Sequence, residues 1–480
     1  MALFSNPDFR TESDHDDSPR ESCGVIGIFL PGTNVAQIAF YGLFALQHRG
    51  QESAGLATAT GKKLHNYTGM GLVSQAFRES DLQRLEGHIA IGHTRYSTTG
   101  SNRLENAQPI IARNGELEIA LAHNGNVINA RELRADLLEQ GVTFSTSTDS
   151  EVIAQMFVHA PGETVEEKIT NSMRKLQGAY SLTVLTKDTL IGVRDPRGVR
   201  PLCLGTLNDG WMIASESCAL DHLGATFVRE IDPGETIIIN DHGLRSVKYP
   251  WKLPSPAPCV FEYIYFARPD SLLGGRSNYL SRVEMGKRLA KEHPVNADIV
   301  IGVPDSATAA AVGYSQESGI PYSDGLIKNR YMGRTFIEPE QHIRELGVQM
   351  KFNTIPEVIR GKRVVIVDDS IVRGTTTPQV ITMVREAGAK EVHMRVCAPP
   401  IRFPCHFGVD MATRGELLAA KLSIEGIRSF INADSLGYLS VEKLLASVDG
   451  NKKSYCAACF TGKYPMPVQL EMDKLALERS

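Results

Sequence analysis

The first half of the chain alternates short apolar runs with turns that contain Gly, Asn and Asp. The apolar runs have the length and spacing of buried strands, and they are GVIGIF, IAIGHT, IALAHNG, YSLTVL and ETIIIN. Among them lie stretches with the periodicity of a helix, such as SEVIAQMFVHA. The pattern from residue 23 to about 250 therefore predicts a layered α+β domain.

The second half has a different rhythm, in which strand patterns are followed by helical stretches. ADIVIGVP precedes SATAAAVGYSQESG, GKRVVIVDD precedes TPQVITMVREAGAK, and EVHMRVCAPP supplies a further strand. This order predicts an α/β domain with a parallel sheet, which binds ligands at the carboxyl ends of its strands. The prolines of KLPSPAP (252–258) predict a linker. The predicted segments are a leader (1–22), two domains (23–255 and 260–470) and a tail (471–480).

Length and charge narrow the class of protein. The 480 residues suffice for two domains, and a net charge of −4 offers no excess of Lys and Arg for binding nucleic acid. No apolar run approaches the roughly 20 residues of a membrane helix, and the polar, acidic leader lacks the apolar core of a secretion signal. We therefore expect a cytoplasmic protein with a disordered leader. Its eight cysteines are expected to be thiols, metal ligands or catalytic groups rather than disulfides.

The stretch VVIVDDSIVRGTTTP (364–378) predicts a phosphate site. A strand ends in Asp368 and Asp369, a loop of small and hydroxyl residues follows, and Thr377 and Pro378 predict the start of a helix. Backbone N–H groups at a helix start favour an anion, and the loop lacks the Gly-Lys-Ser/Thr of a nucleoside-triphosphate site. Two carboxylates beside such a loop suit a ligand with a phosphate and a vicinal diol, or Mg²⁺. The alternative is an ordinary turn with solvated aspartates.

The same stretch resembles the phosphoribosyl-pyrophosphate (PRPP) motif of the type I phosphoribosyltransferases. The resemblance implies that the two aspartates bind the ribose hydroxyls and Mg²⁺, while the loop holds the 5′-phosphate. GVPDSA (302–307) resembles the pyrophosphate loop of that family, with Ser306 near the metal. IKNRYMGRTFI (327–337), otherwise a solvated basic loop, resembles its lid over pyrophosphate. The residues implied to bind PRPP are Lys328, Arg330, Asp368, Asp369, Ser370, Arg373, Gly374, Thr375 and Thr376.

Cys23, which opens the run CGVIGIF directly after the leader, is the candidate nucleophile. A thiol with a pKa near 8.5 needs a base, and an α-amino group with a pKa of about 7.7–8.0 could take its proton. This chemistry requires removal of residues 1–22, so that Cys23 becomes the amino terminus. The alternative is a small buried residue in a strand.

Four further motifs follow Cys23 in order: ALQHRGQESAG, IGHTRYSTTG, LAHNGNVIN and STSTDSEV. Singly, they have simpler interpretations as a hairpin turn at Asn124-Gly125, a helix cap at Thr148 and surface arginines. Together they resemble the N-terminal-nucleophile (Ntn) glutamine amidotransferases, whose fold has αββα layers.

This second resemblance implies a role for each motif. Arg95 would bind the α-carboxylate of glutamine, and Asp149 its α-ammonium group. The Asn124 side chain and the Gly125 N–H would form the oxyanion hole, and Arg49 would shape the pocket near the nucleophile.

The pair Cys456 and Cys459 in YCAACF predicts half of a metal site. The sequence does not choose the other ligands among the remaining cysteines, and zinc and plain thiols stay open alternatives. The two resemblances occur together in one family, the glutamine PRPP amidotransferases. One branch of this family carries a [4Fe–4S] cluster and a cleaved propeptide. Its contexts CVFEYIYF, PCHFG and CAACFTGKYP are present here. They imply a structural cluster that ties the C-terminal segment to both sides of the second domain, with the ligands Cys259, Cys405, Cys456 and Cys459.

The resemblance to this family covers the chain from residue 23 to about 465. It implies an enzyme that hydrolyses glutamine and transfers the ammonia to C1 of PRPP, giving 5-phosphoribosylamine, glutamate and pyrophosphate in the first committed step of purine biosynthesis. It also implies a homotetramer with feedback inhibition by purine nucleotides. The alternatives are a non-catalytic PRPP sensor that regulates transcription, and a glutaminase that feeds another phosphoribosyl acceptor.

Overall fold

The computed structural model describes residues 23–96, 101–329, 351–409, 414–448, 454–468 and 477. The predicted leader and Arg330 lie outside the described residues, as do most of the predicted lid and all of the predicted tail except Leu477. No helix in the described ranges is long and apolar enough to cross a membrane.

The strands of the described chain are short and begin at the first apolar run. They are β1 (Gly24–Phe29), β2 (Ser53–Ala59), β3 (Leu64–Met70), β4 (Ile89–Arg95), β5 (Ile110–Asn114), β6 (Leu117–Val127), β7 (Gly178–Leu185), β8 (Leu190–Arg194), β9 (Cys203–Leu207), β10 (Gly210–Ala214), β11 (Thr226–Glu230), β12 (Glu235–Asn240), β13 (Gly243–Lys248), β14 (Leu272–Leu273), β15 (Arg276–Ser277), β16 (Ile299–Gly302), β17 (Leu326–Lys328), β18 (Phe352–Thr354), β19 (Arg363–Asp368), β20 (Glu391–Val396) and β21 (Ser435–Tyr438).

The α-helices are α1 (Ala36–Ala45), α2 (Val73–Ala76), α3 (Glu79–Gln83), α4 (Ala130–Glu139), α5 (Asp149–His159), α6 (Val165–Met173), α7 (Ser217–His222), α8 (Asn278–Glu292), α9 (Thr308–Ser318), α10 (Pro356–Ile359), α11 (Thr376–Glu386), α12 (Leu418–Lys421), α13 (Ile424–Phe430), α14 (Val441–Val448) and α15 (Ala458–Thr461). Short 3₁₀ turns occupy Gln47–Arg49, Leu104–Asn106 and Arg414–Glu416, and a π-helical turn occupies Glu262–Phe266.

The chain forms two compact units. The first contains the described parts of 19–284, 403–412 and 441–480, and the second those of 285–402 and 413–440. The division falls inside α8, after the proline-rich stretch 252–258, and two later segments return to the first unit.

The first unit is built of two antiparallel sheets that face each other. Their strand orders are β11-β9-β10-β1-β4-β2-β3 and β13-β12-β8-β7-β6-β5. The apolar core between them includes Val25, Ile91 and Ile237. A second core packs α1 and α7 against the first sheet, and a third packs α4, α5 and α6 against the second. The predicted αββα layering is therefore confirmed.

The second unit contains a parallel sheet with the order β16-β19-β20-β21, as the apolar runs predicted. Gly302 of β16 pairs with Val367 of β19, so the two strands end at the same edge of the sheet. Their apolar residues pack in one core with the inward face of α11, which includes Val380 and Val384.

One local prediction and one of the simpler interpretations were wrong, and another of the simpler interpretations was confirmed. Asn124 and Gly125 lie inside β6, where they pair with β7, rather than in a hairpin turn. Helix α11 begins at Thr376 with Thr375 as N-cap, two residues before the predicted start, because the threonines that follow the loop already adopt helical backbone angles. The predicted cap of α5 is present, since Thr148 Oγ1 accepts a hydrogen bond from Glu151 N.

Candidate functional site

A small pocket in the first unit brings together four residues that the sequence had placed in separate motifs. Cys23, Arg95, Gly125 and Asp149 all line it. The other lining residues are Tyr96, Gln108, His123, Thr148 and Ser150. The pocket forms where the end of β4, the C-terminal part of β6 and the first turn of α5 meet.

The Cys23 thiol is buried beside the backbone of Tyr96. Its Sγ lies 3.3 Å from Tyr96 O, to which it donates, and Tyr96 N donates to the sulfur over 3.5 Å. Burial raises the pKa of this thiol above its ordinary value. The thiol therefore needs a base before it can act as a nucleophile.

Two side chains that line the pocket, His123 and Asp149, could accept a proton, and both are hydrogen-bonded to neighbouring groups. In His123, Nδ1 lies 3.1 Å from Ser150 Oγ and Nε2 lies 3.4 Å from Ala179 O, while burial lowers the pKa of the imidazole. Asp149 Oδ2 accepts a hydrogen bond from Val127 N at 2.9 Å. Neither arrangement directs a free base at the sulfur, which favours a base supplied by Cys23 itself.

Asn124 and Gly125 have the properties of an oxyanion site. The Asn124 side chain is fully buried, and neither its Oδ1 nor its Nδ2 has a hydrogen-bond partner in the described part of the chain. Leaving a buried amide unsatisfied costs about 1–3 kcal/mol, so this side chain is suited to a ligand. Gly125 has φ +152°, and a Cβ there would lie 2.0 Å from Ala179 O. Only glycine fits at this position.

The two predicted arginines lie at different depths. Arg95 ends β4 and lines the pocket, with NH1 3.7 Å from Glu52 Oε2 and NH2 donating to Ser101 O at 3.3 Å. Arg49 lies behind the pocket, where its Nε donates to Cys23 O at 3.1 Å. Arg49 thus contacts the backbone of the candidate nucleophile.

Sequence reasoning missed two acidic residues that bind Arg49. Glu216 Oε1 and Glu262 Oε2 accept hydrogen bonds from its NH1 at 2.5 and 3.0 Å. Burial alone would raise the pKa of Glu216, but the charges of His48 and Arg49 lower it well below its ordinary value. Glu216 lies outside the quoted motifs, and Glu262 lies in CVFEYIYF, which was quoted only for Cys259. The only sequence signal of each glutamate is an acidic residue within an otherwise apolar stretch.

The second unit places its candidate residues at the carboxyl edge of the sheet. Asp368 ends β19, and its Oδ1 accepts a hydrogen bond from Asp369 N at 2.9 Å. Asp369 accepts hydrogen bonds from Ser370 Oγ at 2.5 Å and from Ser306 Oγ, which arrives from the loop after β16. The structure therefore brings the two loops predicted for PRPP into direct contact.

The helix that follows completes this edge. Gly374 and Thr375 precede α11, and Thr376 is its first residue. The Thr377 hydroxyl is buried without a hydrogen-bond partner in the described residues. The N-terminus of α11 thus offers backbone N–H groups beside two carboxylates.

Two of the predicted cations, Lys328 and Arg373, have acidic partners. Lys328 Nζ lies 2.8 Å from Asp305 Oδ2, in the loop after β16. Arg373 Nε lies 3.3 Å from Glu416 Oε2.

The four candidate cluster cysteines gather in the first unit. Cys259 and Cys456 form an isolated parallel bridge, and Phe403 N donates to Cys459 O at 3.1 Å. Burial is the main cause that raises the pKa of Cys456 and Cys459. The neighbouring thiols Cys259 and Cys405 raise the two pKa values further. All four sulfurs are therefore close enough to interact. The expected tie to both sides of the second domain was wrong, since all four lie in the first unit.

A single metal ion and a four-iron cluster place different demands on these thiols. No three His, Cys, Asp or Glu side chains in the described ranges are arranged to hold one metal ion. A zinc site needs its sulfurs about 2.3 Å from a single centre, whereas a four-iron cluster holds four cysteines around a larger body. The four neighbouring thiols have the ligand chemistry of the cluster that the sequence resemblance implies.

Comparisons with known proteins agree with a glutamine site in the first unit and a phosphoribosyl site in the second. A glutamine amidotransferase domain model matches residues 93–222, and a phosphoribosyl transferase domain model matches residues 284–400. The chain is 48% identical to an amidophosphoribosyltransferase of Mycobacterium tuberculosis over 95% of this chain and 88% of that protein. It is 51% identical to that of Archaeoglobus fulgidus, over 93% of this chain and 98% of that protein.

A solved structure matches over the same extent. The glutamine PRPP amidotransferase of Bacillus subtilis, complexed with ADP and GMP, is 46% identical with a TM-score of 0.88, covering 94% of this chain and 99% of that one. The predicted fold class and the predicted activity, glutamine-dependent amidotransfer to PRPP, are confirmed by these matches. They favour an enzyme over a non-catalytic PRPP sensor. The chain therefore belongs to the amidophosphoribosyltransferase family.

Proposed function

We propose that Cys23 is the nucleophile of the glutamine half-reaction and acts from a free amino terminus. The observation that carries this assignment is that Cys23, Arg95, Gly125 and Asp149 line one pocket. The α-amine takes the thiol proton, and the sulfur attacks the side-chain carbonyl carbon of glutamine. Collapse of the tetrahedral intermediate breaks the C–N bond, the amine returns the proton to the leaving ammonia, and water hydrolyses the thioester to glutamate.

The pocket suits glutamine at both ends. The guanidinium of Arg95 matches the α-carboxylate in charge and geometry, and the carboxylate of Asp149 matches the α-ammonium group. The Asn124 side chain and the Gly125 N–H donate to the oxyanion that forms during attack.

The ammonia then attacks C1 of PRPP and displaces pyrophosphate, which gives 5-phosphoribosylamine. Asp368 and Asp369 accept hydrogen bonds from the ribose hydroxyls, and the start of α11 binds the 5′-phosphate. The oxygen donors Asp368, Asp369 and Ser306 fit Mg²⁺, which takes one or two protein carboxylates together with substrate phosphates. Mg²⁺ bound there would neutralise charge on the pyrophosphate. Lys328, Arg330 and Arg373 are proposed to bind PRPP as well.

The four buried thiols are proposed to hold a [4Fe–4S] cluster. Their mutual proximity and their thiol chemistry support this group. When bound, it would cross-link the segments that contain Cys259, Cys405 and the CxxC pair. Its role in this proposal is structural.

Intact mass and metal analysis of anaerobically purified protein tests the leader and the cluster together. We expect a polypeptide that begins at Cys23, with about four irons and four sulfides per chain. The leader must be absent because the α-amine of Cys23 has to be free. An active polypeptide that begins at Met1 would contradict the base assignment, and stoichiometric zinc would contradict the cluster.

The oligomeric state, location and regulation are proposals of the same kind. We propose a cytoplasmic homotetramer that is inhibited by purine nucleotides. The nucleotide complex of the Bacillus subtilis relative supports the inhibition, and a site for ribose phosphate at α11 could accept a nucleotide in place of PRPP.

Replacing Asn124 with Ala tests the oxyanion hole. We expect kcat for glutamine to fall by about 10²- to 10³-fold with little change in KM, because the donor acts on the intermediate. The variant should keep its thermal stability, since the amide makes no hydrogen bond within the described chain. Steady-state kinetics and a melting curve measure both. An equal fall in ammonia-dependent turnover would contradict the assignment.

A further inference from the structure

Four charged side chains lie buried behind Cys23. The glutamine chemistry described above gives no role to three of them, Arg200, Glu216 and Glu262. The four are Arg49, Arg200, Glu216 and Glu262, none more than 2% exposed, and we call them the buried charge network. All four belong to the first unit. Two positive and two negative charges balance within it.

The network is closely hydrogen-bonded. Besides the two bonds from its NH1, Arg49 donates from NH2 to Glu262 Oε1 at 2.9 Å, which makes its contact with Glu262 bidentate. Arg200 NH1 donates to the same oxygen at 3.0 Å. Glu262 thus joins the two arginines, and Glu216 is also held by Arg268 N and Ser271 Oγ at 2.9 and 2.7 Å.

Stability alone does not explain such a network. Removing a charge from water costs several kcal/mol per ion, and well-packed apolar residues of similar volume are often as stable or more stable. Four buried charges therefore need another reason to occupy this place. The contacts at the two ends of the network supply one.

One end of the network contacts the backbone of the candidate nucleophile, and the other contacts a segment that packs against the oxyanion strand. At one end, Arg49 Nε donates to the carbonyl of Cys23 at 3.1 Å. At the other, Arg200 Nε donates to Phe407 O at 3.0 Å. The next residue, Gly408, packs on Gly125 so closely that a Cβ on Gly408 would lie 2.7 Å from the Gly125 carbonyl carbon. The neighbouring His406 O accepts a hydrogen bond from Asn126 Nδ2 at 3.0 Å.

We infer that Glu262 and Arg200 are positioning residues for the glutamine half-reaction. Through Arg49 they fix the backbone of the nucleophile, and through the segment 406–408 they fix the strand of the oxyanion hole. The distance from the sulfur to the oxyanion donors is then set by one rigid group of charges. This inference rests on the proposed role of Cys23.

Glu262→Gln tests the inference, because the amide keeps the shape of the side chain but removes the charge that joins the two arginines. We expect kcat for glutamine to fall about 10- to 100-fold, as for a small misplacement of reacting groups. Ammonia-dependent turnover and KM for glutamine should stay within about twofold, since the network lies in the first unit and none of its four residues lines the glutamine pocket. Glu262→Asp should recover part of the loss.

The matched control is Glu235→Gln. Glu235 is also buried in the first unit and binds one arginine, Arg229, through two bonds of 2.7 Å, away from the network. If loss of a buried ion pair slowed the enzyme only through stability, this control would lower both activities in the same way. The inference expects it to leave kcat for glutamine unchanged at temperatures where the protein is folded.

Arg200→Lys carries the test if Glu262→Gln does not fold. Lysine keeps the charge but has one nitrogen in place of the two with which Arg200 bonds to Phe407 O and Glu262. A selective fall in kcat for glutamine supports the inference. Unchanged kcat in a folded variant, or an equal fall with glutamine and ammonia, overturns it. Cys23→Ala measured alongside separates the two ideas, because glutamine-dependent turnover in that variant would instead overturn the nucleophile assignment.

Discussion

Cys23→Ala is expected to abolish glutamine-dependent formation of 5-phosphoribosylamine while leaving ammonia-dependent formation near its original rate. The thiol is the attacking group in the proposed mechanism, so the glutamine reaction should fall by at least about 10³-fold. The ammonia reaction needs only the second unit, where the candidate PRPP residues lie. The substitution removes one buried sulfur whose recorded hydrogen bonds are to the backbone of Tyr96, so the fold should persist.

The measurement is product formation with each nitrogen donor, together with a melting curve. Cys203→Ala is the matched control, since Cys203 is a buried thiol of the same unit whose sulfur contacts Ala214 O instead of the pocket. It should retain both activities. Loss of both activities in folded Cys23→Ala would contradict the two-site arrangement, and persistent use of glutamine would contradict the nucleophile.

The elements were predictable because their signals are local. An apolar run such as GVIGIF between turns specifies a buried strand, and β1 covers those residues. The order of strands and helices after residue 297 specifies a parallel sheet, because parallel strands require crossovers. The pocket residues Arg95, Gly125 and Asp149 could be predicted only from the motifs that contain them. Their spacing along the chain does not by itself show that they meet in one pocket.

The buried charge network was not predictable in this way. Arg49 is 167 residues from Glu216 and 213 residues from Glu262, and no pattern joins positions so far apart. A single acidic residue in EYIYF or SESCAL reads as an ordinary surface charge until the fold buries it. The start of α11 was missed because the local signal is ambiguous rather than absent. Several adjacent hydroxyl residues could each cap the helix.

Asp369→Asn is expected to remove both activities together. The amide keeps the size of the side chain but loses the charge that would bind the ribose hydroxyls and Mg²⁺. Hydrogen bonds to a charged group contribute about 1.5–3 kcal/mol each, so loss of two lowers kcat/KM for PRPP by roughly 10²- to 10⁴-fold. Because ammonia also attacks PRPP, changing the nitrogen donor should not restore turnover.

The measurement is product formation over a range of PRPP concentrations with glutamine and then with ammonia. Asp298→Asn is the control, because Asp298 precedes β16 at the opposite edge of the sheet and binds Arg363 there. Alkylation of Cys23 by iodoacetamide should proceed in the Asp369 variant, which shows that the first unit is intact. If ammonia restored turnover, Asp369 would act on the glutamine reaction rather than on PRPP. The opposite responses of Cys23→Ala and Asp369→Asn to ammonia would then assign each half-reaction to its own unit.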